Sequence, residues 1–166
     1  PGSAPGLQAR TVIQQCSHAK VKIKPALDGT DAQWAELCRV KFEICFRLCL
    51  FSTVFSTANK LMTTRLFRKN AGHSVSLLDL PGSILFVPQD SLLGKTAPNR
   101  RMQYIGGCEL WWGAQLFSNL VSVCRELMSG SAKCTSAGVK VEHGLYGQKQ
   151  EISLTSVEPL TVLLEF

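Results

Sequence analysis

The feature that most constrains the fold is a short apolar run at residues 84–87 that ends in Pro88. The run is rich in β-branched and aromatic residues and follows Pro81-Gly82, so it predicts a buried strand. Pro88 has no backbone N–H for a neighbouring strand, and regular pairing is expected to stop or bulge there. The polar tripeptide Gln89-Asp90-Ser91 follows. Small polar groups at a rigid strand end can hold a substrate, although an ordinary exit turn would have the same composition.

Alternation of apolar and polar residues predicts further strands. Residues 10–24 alternate throughout, which predicts one long strand with a wet face, bent near Ser17. Residues 42–50 also alternate, with Cys45 and Cys49 on the second face, as expected of a central strand. Shorter strands are expected at residues 74–80, 139–143, 150–154 and 160–166, the last three forming an antiparallel end to the chain.

Two stretches show apolar residues at helical spacing. The first helix is predicted from Ser52 or Thr53 to about residue 68, with Asn70-Ala71-Gly72 ending it. Its apolar positions are Phe55, Ala58, Met62 and Leu66. The second is the clearer pattern and covers residues 109–128, with Gly130 as its stop. Its apolar side is Leu110, Ala114, Phe117, Val121, Cys124 and Met128. Residues 95–107 are expected to form a basic loop. About seven strands and two helices predict the α+β class.

The chain has 166 residues, and a single domain is expected over residues 9–166. Residues 1–8 are interpreted as a cloning remnant or a disordered terminus. No apolar run approaches the length of a membrane span, so no membrane partner is expected. Seven cysteines, several in apolar stretches and none in a CxxC pair, predict buried free thiols in a reducing compartment, with no metal site. A net charge of +6 suits an anionic partner such as nucleic acid.

The familiar catalytic signatures, GxSxG, HExxH, the Walker loop and GxGxxG, do not occur in the sequence. Ser91 could be a nucleophile only with a base nearby, and an isolated histidine on a strand is more often structural. The possible bases are His18, His73 and His143. Asp90 and Glu158 could form a carboxylate pair, but solvated turn residues are the simpler explanation.

Two segments of this chain, residues 88–92 and residues 156–161, resemble motifs of the D-aminoacyl-tRNA deacylase family. Those enzymes carry Ser-Gln-Phe-Thr-Leu at a strand end, or Pro-Gln-Ala-Thr-Leu in the animal-type branch, where this chain has Pro88-Gln89-Asp90-Ser91-Leu92. They carry Asn-x-Gly-Pro-x-Thr before the last strand, where this chain has Ser156-Val157-Glu158-Pro159-Leu160-Thr161. Residues 9–16, 75–82, 101–104 and 141–147 also resemble family segments, in the family's order.

The resemblance implies a mostly antiparallel, barrel-like α+β fold that forms a homodimer. It implies hydrolysis, in the cytoplasm and without a cofactor, of the ester joining a wrong amino acid to the 3′ end of tRNA. Catalysis would use Gln89, Asp90 and Ser91, through backbone N–H groups, together with the terminal ribose 2′-hydroxyl. The Gly-Pro turn of one subunit would enter the pocket of the other and reject L-amino acids. The animal-type branch is linked to a relaxed filter that also removes L-alanine.

The remaining site residues follow from the same resemblance and from the basic loops. The substrate-binding and chirality-filtering residues would be Glu158, Pro159, Thr161, Gln103 and Tyr104. The residues expected to bind tRNA are Arg10, Lys95, Arg100, Arg101 and Lys149.

The chain departs from the family pattern at three positions. Glu158 replaces the glycine before the proline, Ser91 replaces threonine, and Asp90 replaces alanine or phenylalanine. Two of these changes add negative charge near a substrate that is flanked by phosphates. The alternative function is therefore a tRNA-binding or interaction protein with a degenerate pocket on the same fold.

Overall fold

A computed structural model of the chain describes residues 9–38, 42–48, 54–69, 72–104, 109–157 and 160–166. The helices are α1 (Val54–Thr63), α2 (Leu110–Ser129) and α3 (Ala132–Ala137). The first six strands are β1 (Ala9–Gln14), β2 (His18–Lys24), β3 (Gln33–Cys38), β4 (Phe42–Leu48), β5 (Phe67–Lys69) and β6 (His73–Val75). The others are β7 (Ile84–Pro88), β8 (Gly94–Thr96), β9 (Met102–Tyr104), β10 (Val141–His143), β11 (Ile152–Thr155) and β12 (Thr161–Glu165).

The strands form two sheets and two hairpins. The main sheet has the order β10-β7-β4-β1-β12, and a second sheet has the order β11-β2-β3. Strands β5 and β6 form one hairpin, and β8 and β9 form the other. The β10–β7 and β4–β7 pairs are parallel and the other pairs are antiparallel. The α+β class with mainly antiparallel strands is therefore confirmed.

Strand β7 lies at the centre of the packing. Ile84 and Phe86 belong to an apolar cluster with α1 and α2, whereas Leu85 and Val87 pack with β2 and β3. All four side chains are at most 1% exposed. The helices thus cover one face of the main sheet and the second sheet covers the other, which confirms the predicted buried strand. The strand ends at Pro88, as predicted.

The long strand predicted over residues 10–24 is wrong, because the chain breaks into β1 and β2, which belong to different sheets. Ile13 packs in the helix-side cluster, while Ala19 and Val21 pack between the sheets. The alternation keeps the same parity through the break, so the pattern alone does not show it. Backbone hydrogen bonds hold the connection: the N–H of Gln15 donates to the Leu160 carbonyl and that of Ser17 to the Thr155 carbonyl.

The first predicted helix is too long. Helix α1 ends at Thr63, where the hydroxyls of Thr63 and Thr64 donate to carbonyls one turn back. Ala58 and Met62 are buried as predicted, but Phe55 is 64% exposed and Leu66 lies beyond the helix. Ser52 and Thr53, proposed as caps, and Asn70 and Ala71, proposed as the stop, lie outside the described residues. The stop itself is wrong, because the hairpin β5–β6 follows the helix and Gly72 takes a positive φ there.

The strand predicted over residues 74–80 is also wrong beyond Val75. The backbone N–H groups of Asp79 and Leu80 both donate to the Ser76 carbonyl, and this closes a turn. The basic loop predicted over residues 95–107 is instead the hairpin β8–β9 as far as Tyr104, and residues 105–107 lie outside the described residues. The segment around Trp34, which the sequence left ambiguous, is β3.

Helix α2 matches its prediction within one residue at each end, and Gly130 is its C-cap. Leu110, predicted to be buried, is 63% exposed. The three strands predicted near the end of the chain are present, but the antiparallel unit predicted for them is wrong. Strand β10 pairs in parallel with β7, β11 pairs with β2 in the second sheet, and β12 pairs with β1. Helix α3 was not predicted. The described residues hold twelve strands and three helices, more than the seven and two expected, because the predicted long strand is split into β1 and β2 and because β3, β5, β8 and β9 were not predicted. Within the described residues, no helix is both long and apolar enough to cross a bilayer.

Cys16, Cys124 and Cys134 are buried, and Cys124 and Cys134 are free thiols, which confirms the prediction of buried thiols for these positions. Burial raises the pKa of the Cys124 thiol to about 12, because the thiolate would lose its hydration.

Since the thiolate is the reactive form, we expect Cys124 to resist iodoacetamide at pH 8 in the native protein and to react after unfolding in guanidinium. Mass spectrometry of both samples checks this. Native labelling of Cys124 at the rate of an exposed thiol would contradict it.

Candidate functional site

The turn after β7 presents backbone N–H donors at the C-terminal end of this strand of the main sheet. Gln89 is extended, with φ −139° and ψ 115°, and Asp90–Leu93 forms one turn of 3-10 helix. The Leu92 N–H donates to the Gln89 carbonyl at 3.4 Å. In such a turn the first N–H groups, here those of Asp90 and Ser91, have no acceptor inside the turn. Two neighbouring amides can therefore be offered to a ligand oxygen.

The far end of this turn is held by Arg10 on β1. Its Nη1 donates to the Leu92 carbonyl at 2.7 Å and to the Gly94 carbonyl at 3.4 Å. Its Nε and Nη2 each lie 2.8 Å from Glu165 Oε1 on β12. The Arg10 side chain is only 21% exposed. A tRNA contact was predicted for Arg10 and stays a prediction, but the guanidinium already links the turn to β1 and β12.

Replacing Arg10 with alanine should lower the free energy of unfolding by about 1.5–3 kcal/mol, since hydrogen bonds to a charged group are lost. The turn would also lose its brace, so kcat should fall. An Arg10→Lys control keeps the charge but cannot form the forked contact, and it should remain closer to alanine than to wild type. Denaturant unfolding measures both variants. If Arg10 mainly bound tRNA, stability would stay unchanged while the salt dependence of tRNA binding became shallower.

The hairpin β8–β9 places two predicted substrate residues beside the turn. Gly94 pairs with Tyr104, and Lys95 pairs with Gln103. A Cβ on Gly94 would lie 2.7 Å from Met102 Cε and 3.2 Å from Tyr104 Cε1. Glycine at this position therefore lets Met102 and Tyr104 pack against the start of the hairpin. Gln103 and Tyr104 are both exposed, next to the turn.

Three of the cations predicted to bind tRNA are exposed on the β8–β9 hairpin, which follows the 89–93 turn. Lys95 lies on β8, and Arg100 and Arg101 lie in the loop of the hairpin. Arg100 has φ 62° and its N–H donates to the Ala97 carbonyl at 2.9 Å, which closes the loop.

Lys149 comes from another segment that reaches the end of β7. The neighbouring Gln150 accepts a hydrogen bond from the Leu145 N–H at 2.7 Å and donates to the Lys22 carbonyl at 3.1 Å. Gly144, the residue before Leu145, donates its N–H to the Phe86 carbonyl on β7 at 2.9 Å. Lys149 itself is exposed. Lys95 and Lys149 thus belong to segments next to the end of β7, and Arg100 and Arg101 lie in the loop of the hairpin that follows the 89–93 turn.

The second motif segment lies at a different place in the same chain. Ser156 Oγ donates to the Gln15 carbonyl at 2.7 Å, and the Gln15 N–H donates to the Leu160 carbonyl. Thr161 is exposed at the start of β12 and pairs with Gln14. Glu158 and Pro159 lie outside the described residues, and so does the Asp90–Glu158 carboxylate pair, for which the sequence favoured two solvated turn residues instead.

The strand registers separate the two motifs within one chain. Strands β7 and β12 are divided by β4 and β1, which is about 14 Å at the usual strand spacing. Thr161 aligns through Gln14 and Glu43 with Leu85, three residues before Pro88. This is about 10 Å along the strand, toward the end opposite the turn. The 89–93 turn and the start of β12 therefore do not meet within one chain.

In the part of the chain that is described, none of the three histidines forms a hydrogen bond with Ser91. His18 bonds Glu36 at 2.6 Å, His143 Nδ1 bonds the Gly144 carbonyl at 2.7 Å, and His73 lies on the β5–β6 hairpin. The described residues include no group of three His, Cys, Asp or Glu side chains that could hold a metal ion. A cleft of about 620 Å³ beside α3 and one of about 270 Å³ beside α2 are not lined by the 89–93 turn.

Comparison with known proteins gives consistent matches. The family model for D-Tyr-tRNA(Tyr) deacylase matches residues 50–165. The D-aminoacyl-tRNA deacylase 2 of Homo sapiens is 38% identical over 161 residues, covering 96% of this chain and 95% of that protein. The D-aminoacyl-tRNA deacylase 2 of Gallus gallus is 37% identical over 163 residues, 95% of each chain. A solved probable eukaryotic D-amino acid tRNA deacylase superposes with a TM-score of 0.76 at 17% identity, covering 96% of this chain and 100% of that one, which shows a shared fold.

Proposed function

The chain belongs to the D-Tyr-tRNA(Tyr) deacylase family, and we propose that it hydrolyses the ester bond between a wrongly attached amino acid and tRNA. The main substrate class that we propose is D-aminoacyl-tRNA. The observation that carries the proposal is 36–38% identity to animal enzymes named D-aminoacyl-tRNA deacylase 2, over about 95% of the chain. Buried free thiols at Cys124 and Cys134 support a reducing compartment, and the cytoplasm is our proposal.

In the proposed reaction, water adds to the ester carbonyl carbon and the bond to the ribose 3′-oxygen breaks. The 3′-oxygen takes a proton, so that free amino acid and tRNA are released. The N–H groups of Asp90 and Ser91 would hold the carbonyl oxygen as it becomes negative, which is the role of an oxyanion hole. The resemblance assigns a part in catalysis to the ribose 2′-hydroxyl. Arg10 is a positioning residue in this scheme, because it holds the opposite end of the turn.

We further propose that the pocket is completed by a second copy of the chain. The 89–93 turn and the start of β12 are separated both across and along the main sheet, so one chain does not bring the two motifs together. In a two-fold dimer, the Glu158-Pro159 segment of one subunit can reach the turn of the other. Light scattering should give twice the chain's 18.2 kDa at micromolar concentration and above.

The hydrolysis proposal is tested with tRNA charged with D-tyrosine, L-tyrosine or L-alanine. The protein should release D-tyrosine faster than the spontaneous rate and spare L-tyrosine. Release of L-alanine would indicate the relaxed filter of the animal-type branch. If all three esters survive at the spontaneous rate while tRNA still binds, the hydrolase proposal is wrong.

A second candidate function is tRNA binding without hydrolysis, favoured by the substitution of Glu158 for the family's glycine. The extra carboxylate would lie beside a substrate rich in phosphates, where like charges repel. A Glu158→Gly variant separates the two candidates. It should raise D-ester hydrolysis or sharpen discrimination against L-esters if the pocket is active, and it should change neither if the pocket only binds.

A further inference from the structure

A second basic surface lies away from the 89–93 turn. Between Glu43 and Asp79 the sequence has no acidic residue but five basic ones: Arg47, Lys60, Arg65, Arg68 and Lys69. Arg68 and Lys69 lie on β5, opposite Ser74 and His73 of β6, and Arg65 comes just before this hairpin. All three cationic side chains are exposed. The hairpin therefore presents positive charge to solvent.

One carboxylate lies among these cations. Asp79 accepts hydrogen bonds from Lys133 Nζ at 2.9 Å and from Ser76 Oγ at 3.1 Å. The bonds from Lys133 and Ser76, the charge of Lys133 and, more weakly, that of Arg65 hold the pKa of Asp79 below its ordinary value, so it stays ionised. Lys133 is itself 62% exposed. We call Arg65, Arg68, Lys69 and Lys133 the basic patch, and with Asp79 included it keeps an excess of positive charge.

The basic patch lies at the amino end of β7. The turn that contains Asp79 leads through Pro81 and Gly82 into this strand, whereas the 89–93 turn follows its other end. Five residues of strand separate the two ends by about 16 Å. This exceeds the Debye length of about 8 Å at physiological ionic strength, so the patch can influence chemistry at its own chain's turn very little. A partner that uses both must be long and negatively charged.

We propose that the basic patch binds phosphates of the double-stranded part of tRNA while the 3′ end occupies the pocket. The inference rests on the proposed function, because that function supplies a polyanion long enough to reach both sites. Double-stranded nucleic acid carries a negative charge about every 1.7 Å along its axis, so several cations spread over a hairpin and a helix can each meet a phosphate. The patch thus contributes to tRNA affinity and has no part in ester cleavage.

The test is an Arg65→Gln, Arg68→Gln, Lys69→Gln triple variant, titrated with unfractionated deacylated tRNA at several salt concentrations. Each lost phosphate contact lowers the slope of log affinity against log salt by about 0.9, so three lost contacts should lower it by about 2–3. Affinity at 0.1 M salt should fall at least about tenfold. Binding of a four-nucleotide RNA that ends in CCA should not change, because it cannot reach the patch.

Two control variants distinguish a loss at the basic patch from a general effect of lower net charge or of substitution itself. A Lys20→Gln, Lys22→Gln, Lys24→Gln variant removes the same charge from β2, in the sheet on the other side of the molecule, and should keep most of the affinity. An Arg65→Lys, Arg68→Lys, Lys69→Arg variant keeps the charge and should bind tRNA like wild type. Equal losses of tRNA affinity in the glutamine variants at positions 65, 68 and 69 and at positions 20, 22 and 24 would overturn the assignment. A loss of affinity in the charge-conserving variant would overturn it too.

The outcomes also separate this inference from the proposed function. If wild type hydrolyses aminoacyl-tRNA but the glutamine variant at positions 65, 68 and 69 binds tRNA normally, the function stands and the patch is wrong. If wild type hydrolyses no ester but this variant loses tRNA affinity, the patch stands and the function is wrong. Preferential binding of vesicles rich in phosphatidylserine, with no tRNA affinity, would overturn the patch as a tRNA site.

Discussion

An Asp90→Pro variant should lose ester hydrolysis by about a hundredfold or more, the typical effect of removing one oxyanion donor. Proline removes the backbone N–H that we assign to the ester oxygen. The change is otherwise mild, because Asp90 is the first residue of the 3-10 turn and proline is accepted at that position. Gln89 before it is already extended, as a residue before proline must be. The fold should therefore survive, and kcat should carry the loss.

Two control variants make this result specific. Asp90→Ala keeps the N–H and should retain most of the hydrolysis, and Ser91→Ala should also retain measurable activity because the hydroxyl is an accessory. Single-turnover rates at saturating enzyme, with tRNA binding measured in parallel, distinguish lost chemistry from lost affinity. An inactive Ser91→Ala variant with normal folding and tRNA binding would show that the serine is the nucleophile, and the backbone mechanism would then be wrong.

The largest stability effect is expected from Phe86→Ala, at about 3–5 kcal/mol. Phe86 is fully buried in the cluster that joins β7 to α1 and α2, so truncation leaves a cavity in the layer that supports the turn. Such a loss is a large part of the 5–15 kcal/mol typical of a domain. The variant should unfold at much lower denaturant concentration, with activity lost in proportion to unfolding.

A matched control is Leu27→Ala, because Leu27 is 71% exposed in the turn between β2 and β3. Substitutions at such positions usually change stability by less than about 0.5 kcal/mol. Urea unfolding of both variants measures the difference. If Phe86→Ala were no less stable than Leu27→Ala, the three-layer packing around β7 would be wrong.

Elements with a strong local period were predictable from the sequence. Strand β7 and helix α2 were found almost to the residue, since apolar runs and 3.6-residue spacing reflect burial directly. The break between β1 and β2 was missed because both strands keep the same parity while facing different layers. The short hairpins were missed because three-residue strands leave too few residues for a pattern.

The site was predictable only in part, and for a physical reason. The motif residues could be located by resemblance, but amide donors belong to the backbone and have no side-chain signature. The Arg10–Glu165 pair was missed because it depends on the register of the first and last strands. That the two motifs are far apart within one chain also follows from register alone. Substrate-binding and tRNA-binding roles for the predicted residues stay predictions.

We propose that the catalytic pocket combines the 89–93 turn of one chain with the Glu158-Pro159 segment of another. Mixed dimers test it directly. An Asp90→Pro chain lacks a working turn, and a Pro159→Trp chain would fill its partner's pocket with the indole ring. Each variant alone should be inactive on D-tyrosyl-tRNA.

After equal amounts of the two variants are unfolded together and refolded, half of the dimers should be mixed, and each mixed dimer has one pocket with both parts intact. The expected D-tyrosyl-tRNA hydrolysis is therefore roughly a quarter of the wild-type rate. If the mixture stays as inactive as its two components although mixed dimers are detected by native mass spectrometry, the pocket is not shared between chains.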